Sequence, residues 1–209
     1  DEFLDGSVHC TELQKKLQRA NGMIAKTRHF LPNDSKALLS LYHSIFASHM
    51  VYGCQVWGQS DTKFVKKIQV LQNNALRLIT FADSFRDHIS HLYKNLNILK
   101  FRDYVSLQNL LFIHDYFNSK LPACFTGYFT LSTDVHDHMT RNAGHGHLFV
   151  PTVASERFGR KSFKIQSILL WNNLAEKFPT EDFTNISRHK FKKILVTHFI
   201  DNYSPNVSN

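Results

Sequence analysis

The chain has 209 residues, 43% hydrophobic and 13% aromatic, which is enough apolar surface for one large domain or two small ones and excludes a disordered chain. No run approaches the roughly 18 apolar residues of a membrane span, and the opening DEFLDGS has neither the basic start nor the apolar centre of a signal peptide, so a soluble chain is expected. The formal net charge of +8 favours polyanions as partners, and the placement of the charges then decides which.

The first residue is Asp1 and not Met, which fits a cut or processed end with sequence before it. Cys10, Cys54 and Cys124 are odd in number and far apart, unlike a disulfide framework or a Cys-x-x-Cys zinc site. Buried, reduced thiols in an intracellular protein are expected.

Three helices are predicted first. Over 9–30, Leu13, Leu17, Ala20 and Ile24 form an apolar stripe, and Lys15, Lys16, Arg19, Lys26 and Arg28 supply a basic surface. Pro32 breaks the chain, and Asn33-Asp34-Ser35 offers an N-cap. In the second helix Leu38, Leu41, Tyr42, Ile45, Phe46 and His49 make a broad apolar face. Gly53 and Gly58 flank Trp57, where missing side chains let the chain turn close to the ring. Over 63–80, Phe64, Ile68, Leu71, Ala75 and Leu78 follow heptad-like spacing, with Lys63, Lys66, Lys67 and Arg77 outside it.

Farther on, 85–95 reads as a short helix, and 101–117 is apolar nearly all round, as in a helix with several neighbours. Leu121-Pro122 ends it. Between 126 and 159 there is no helical period but one β-like run, 147–153, for which 162–166 is a candidate partner strand, although 168–176 has helical spacing. A last helix, 186–200, buries Phe191, Leu195 and Phe199 and exposes Arg188, Lys190, Lys192 and Lys193. The tail 203–209 is expected to fray. The fold class is mainly α: a helical bundle over 1–82, then a helical C-terminal region over 83–209 with a small β element.

The runs KKLQRANGMIAKTRHFLP (15–32), LLSLYHSIFASHMVYGCQVWG (38–58) and KIQVLQNNALRLIT (67–80) resemble, in wording and order, the segment after the palm of reverse transcriptases from LINE-type, non-LTR retrotransposons of the jockey-like group. NLNILKFRDY (95–104), HDHMTRNA (136–143) and LLWNNL (169–174) resemble the C-terminal region of the same proteins. Tyr52-Gly53, Trp57-Gly58 and the Gln-rich helix after them are the best discriminators. Near Trp171 the chain departs from the family: Ser167-Ile168 stands where relatives have Gly-Pro, and Leu174-Ala175 where they have Leu-Pro.

The resemblance implies a polymerase thumb that grips an RNA template–DNA primer duplex, then a C-terminal domain. The partners implied are RNA, DNA or their hybrid and an upstream palm of the same polyprotein, in a cytoplasmic and nuclear ribonucleoprotein. It also implies that the catalytic Asp-Asp turn precedes this chain. Phe81-Ala82-Asp83-Ser84 comes within one residue of that turn, yet it has one aspartate and follows a helical period instead of a strand, so it reads as a helix-ending loop. No catalytic residue and no cofactor are expected in this chain; Mg²⁺ belongs to the parent's palm.

Cationic groups along one helix face can meet successive phosphates without reading bases, and the plain counterpart is a solvated surface. Tyr52 and Trp57 can stack on bases, but flanking glycines and apolar residues favour core positions for both, as for Trp171. His136, His138, His145 and His147 form an HxH…HxH pattern, yet no cysteine ligand lies near, and with 13 histidines such clusters arise by chance; no metal is expected. The rival reading from another class is a helical interaction or scaffold module that has lost nucleic acid.

Overall fold

A computed structural model of the chain describes residues 7–31, 35–59, 62–82, 89–135, 146–155, 159–179 and 182–203. The helices are α1 (Ser7–Phe30), α2 (Ser35–Leu41), a π-helical segment (Tyr42–Ala47), α3 (Ser48–Val51), α4 (Cys54–Trp57), α5 (Thr62–Thr80), α6 (Ser90–Leu96), α7 (Phe101–Phe117), α8 (Ser132–Val135), α9 (Phe163–Lys177) and α10 (Arg188–Asp201). The protein is mainly α. The chain forms two compact units, Asp1–Val105 with Val196–Asn209, and Ser106–Leu195. The first unit therefore takes in α6 and reaches past the 1–82 region.

In the first unit, α1 buries Cys10, Leu13, Leu17, Ala20 and Ile24 at helical spacing. It packs along α5 in the same direction: Asn21 Nδ2 donates to the Leu71 carbonyl at 3.0 Å, and farther along the Arg28 guanidinium lies 4.4 Å from the Phe81 ring centre. The buried line of α5 is Val65, Ile68, Gln72, Ala75, Leu76 and Ile79, whereas Phe64, Leu71 and Leu78 are only half-buried. The core face is thus rotated from the predicted one, because a polar residue, Gln72, occupies its centre.

The second predicted helix is one rod with a π-helical middle. Ser40, Ser44 and Ser48 each donate to the carbonyl four residues back, Ser40 to Lys36 at 3.1 Å and Ser44 to Ser40 at 2.8 Å, a back-bonding that loosens the regular ladder on the exposed side. The opposite side buries Leu38, Tyr42, Phe46 and Met50, with the Tyr42 and Phe46 rings stacked at 5.2 Å. His49 lies outside this face and is exposed.

In the second unit, Phe112 meets Phe125 and Phe163 edge to face, at 5.1 and 4.9 Å, and Trp171 sits beside Phe117 and Phe191. The expected hairpin is not present among the described residues. Leu148 forms an isolated antiparallel bridge with Leu131, and 162–166 opens α9, where the Ser162 hydroxyl caps the Ile165 N–H. Asn172 stands in for a strand: its Oδ1 accepts from Leu148 N at 2.8 Å and its Nδ2 donates to Leu148 O at 2.9 Å. One helix turn thereby holds an extended segment. The Trp171 indole adds a bond to the Gly146 carbonyl at 3.2 Å, and α9 passes unbroken through Ser167-Ile168 and Leu174-Ala175.

Candidate nucleic-acid interface

Nine Lys and Arg side chains belong to α1 and α5, namely Lys15, Lys16, Arg19, Lys26, Arg28, Lys63, Lys66, Lys67 and Arg77, against one carboxylate, Glu12. That net +8 equals the formal charge of the entire chain, so the remainder is balanced. Lys15, Lys16, Arg19, Lys26, Lys63, Lys66 and Lys67 are exposed. Lys15, Arg19 and Lys26 lie on the side of α1 away from its buried stripe. Because the helices are parallel, with Asn21 level with Leu71, the lysines 63–67 stand at the same end of the pair as Lys15, Lys16 and Arg19.

These positions are not equivalent. Lys15 reaches Glu12 at 2.7 Å, which holds the Glu12 carboxyl below its ordinary range through that hydrogen bond and the lysine's charge. Arg28 is half-buried over the Phe81 ring and serves the α1–α5 seam, and Arg77 is also half-buried. In the second unit the exposed Arg188 bonds both carboxylate oxygens of Asp115 through its Nε, at 3.0 and 2.9 Å, and so ties α10 to α7. Lys190, Lys192 and Lys193 are exposed.

The Tyr52–Gly58 corner borders α1. Gly53 adopts the left-handed conformation, φ +60°, and the Trp57 indole N–H donates to the Tyr52 carbonyl at 2.9 Å. Trp57 is core, stacked on Phe101 at 5.1 Å and beside His9 at 5.5 Å. Tyr52 is not core. Its ring is 79% exposed because the turn uses its carbonyl and backbone torsions and points the side chain outward.

Behind these faces lies a polar network that hydrophobic periodicity did not reveal. Gln72, fully buried, donates from Nε2 to the Tyr42 hydroxyl at 3.0 Å and the Leu99 carbonyl at 2.9 Å, and its Oε1 accepts from Phe101 N at 3.0 Å. Gln69 accepts from the same N–H at 3.1 Å and donates to the Tyr93 hydroxyl at 2.6 Å, which in turn donates to Asn73 at 2.7 Å. Burial pushes the Tyr42 and Tyr93 phenols up, so both remain neutral partners. At the same helix start, the Tyr203 hydroxyl accepts from Lys100 N at 2.9 Å and donates to Asp103 at 2.5 Å. Amides at positions 69, 72 and 73 of one helix face were the available signal.

Cys10 and Cys54 are buried, and burial pushes the Cys54 thiol up to about 12, so it stays protonated; Cys124 is exposed, contrary to expectation. Phe81, at φ +54°, follows the last turn of α5, the geometry of a helix end; Asp83 and Ser84 lie outside the described residues. His147 is buried, while His136, His138 and His145 lie outside the described residues. Among the described residues no group of three His, Cys, Asp or Glu side chains is placed to hold a metal, and no helix is long and apolar enough to cross a membrane.

Over 89 residues, 41% of this chain, the sequence is 36% identical to a protein described as a probable RNA-directed DNA polymerase from transposon X-element of Drosophila melanogaster. The chain is related to a retrotransposon reverse transcriptase. The match spans 10% of that relative's length. No family model matches, and no solved structure matches.

Proposed function

We propose that the chain is the thumb and C-terminal region of a LINE-type, jockey-like reverse transcriptase, and that it grips the RNA template–DNA primer duplex without catalysing on its own. The observation that carries this is the confinement of the net positive charge to α1 and α5, with exposed ammonium and guanidinium groups at one end of a parallel pair. Such a surface neutralises successive phosphates and is indifferent to base sequence. In this reading the parent's Mg²⁺ and deoxynucleotides act at a palm contributed by another part of the polyprotein, in a cytoplasmic and nuclear ribonucleoprotein. The rigid support is the amide network, which fixes α5 against the start of α7.

The test is fluorescence anisotropy on a blunt RNA–DNA hybrid at several salt concentrations. Neutralising about four to six phosphates gives a log–log slope of about −4 to −5. Lys63→Ala/Lys67→Ala is expected to reduce its magnitude by about two, at roughly one per lost phosphate contact. Arg188→Ala is expected to leave the slope unchanged, since its charge is spent on Asp115. Lys190→Ala/Lys193→Ala asks whether α10 joins the same duplex. An unchanged slope in the Lys63/Lys67 variant removes this face as the binding surface; absence of wild-type binding at low salt favours the scaffold reading.

A primer-extension assay tests the non-catalytic half. The purified chain is expected to incorporate no deoxynucleotide on any template. Incorporation that disappears on Asp83→Ala would place catalysis at the turn after α5.

A further inference from the structure

We infer that Tyr52 is a stacking platform for an unpaired base of a nucleic-acid strand, with Lys16 of α1 facing the adjoining phosphates. The inference rests on the nucleic-acid reading above and adds a recognition element that charge alone does not supply.

The corner has a complete structural explanation that leaves the Tyr52 ring out. Its backbone is set by the left-handed Gly53, the Val56 N–H to Gly53 carbonyl bond at 2.9 Å, the Gly58 N–H to Cys54 carbonyl bond at 2.8 Å and the indole bond to the Tyr52 carbonyl. Any residue tolerating φ −59° and ψ 117° meets those demands. The ring is nonetheless aromatic and 79% exposed, and Val56, four residues on, is 82% exposed. A tyrosine has few rotatable bonds, and here its root is clamped to a buried tryptophan, so little ordering entropy opposes contact.

The neighbourhood selects the partner. Trp57 meets His9, and His9 and Lys16 are seven residues apart, two helical turns, on one side of α1. The corner therefore borders the helix that carries Lys15, Lys16 and Arg19, and the lone carboxylate on that helix, Glu12, is paired with Lys15. An exposed aromatic ring on a corner that borders a cationic helix matches a strand whose bases offer π faces and whose backbone offers phosphates; stacking of this kind tolerates any base. An apolar protein partner would have to cover these cations.

The probe is the RNA–DNA hybrid carrying a short single-stranded extension with 2-aminopurine in it, compared with the blunt hybrid, using the full chain. Wild type is expected to quench the 2-aminopurine. Tyr52→Phe keeps the ring and should keep the quench. Tyr52→Ala should abolish it and weaken binding of the extended hybrid by about ten-fold, within the range of base–aromatic stacking. Blunt-hybrid affinity, the salt slope and the far-ultraviolet circular dichroism should be unchanged, because stacking releases no counterions. If Tyr52→Ala quenches and binds as wild type does, the inference falls while the duplex reading stands. If Tyr52→Ala weakens blunt and extended hybrids equally, the ring does not hold an unpaired base and the inference also falls. If wild type binds neither hybrid at low salt, both readings fall, and the Tyr52–Val56 surface becomes a protein contact.

Discussion

Replacing Gln72 by leucine is expected to lower the unfolding free energy by about 3–5 kcal/mol, because leucine fills similar space but leaves buried polar groups behind. Both amide protons and the amide oxygen of Gln72 are used, by Tyr42, the Leu99 carbonyl and Phe101 N, at 2.9–3.0 Å. Phe101 N retains Gln69 as acceptor at 3.1 Å, so the main losses are at Leu99 and Tyr42. Gln69→Ala should cost less, because Gln69 is half-buried and Phe101 N keeps Gln72. Combining Gln72→Leu with Tyr42→Phe should cost less than the two separately, since the orphaned hydroxyl is removed with its partner. Urea unfolding of the four variants measures this; a Gln72→Leu loss under about 1 kcal/mol would mean that the amide is dispensable.

Residue 72 also shows where sequence periodicity stops being informative. The spans of α1, α5, α7 and α10 follow from apolar recurrence and punctuation, since a helix that buries one face must repeat that face. Which residues face inward on α5 does not follow, because a satisfied glutamine is as good a core residue as leucine and carries no hydrophobic signal. At α9 the same limit acts on class: Ser162–Gln166 alternates like a strand, yet a serine cap and helical continuation decide the outcome. Leu148 bridges Leu131 on one edge, and on the other edge its partner is an asparagine side chain, a pairing that no alternation pattern encodes.

The candidate interface was readable in kind but not in detail. Charge along α1 and α5 stands in the sequence, and exposure of seven of those side chains follows from their place off the apolar stripe. Arg188 looks identical to its lysine neighbours until Asp115, distant in sequence, appears beside it. Tyr52 and Trp57 look alike between two glycines, but the turn at Gly53 sends one ring out and the other in. That separation depends on a single backbone torsion sign, which composition does not specify.

The two glycines that bracket the interface should respond to alanine with opposite signs. Gly58→Ala places a Cβ against the Cys54 carbonyl oxygen and 2.7 Å from Val105 Cγ2. The first contact is backbone and cannot swing aside, so the corner must open, which costs about 2–4 kcal/mol, at or above the usual range for overpacking. Gly22→Ala, in the exposed middle of α1, meets nothing within 4 Å and should stabilise by about 0.5–1 kcal/mol, by removing the extra backbone freedom of glycine in the unfolded chain. Thermal melts of both variants beside wild type give the signs directly. A Gly58→Ala protein that melts with wild type would show that the corner yields at no cost, and Tyr52 would then lose the rigid root from which its ring is displayed. A Gly22→Ala protein that melts earlier would mean instead that the outer face of α1 is covered, which the binding of a duplex along Lys15, Arg19 and Lys26 does not allow.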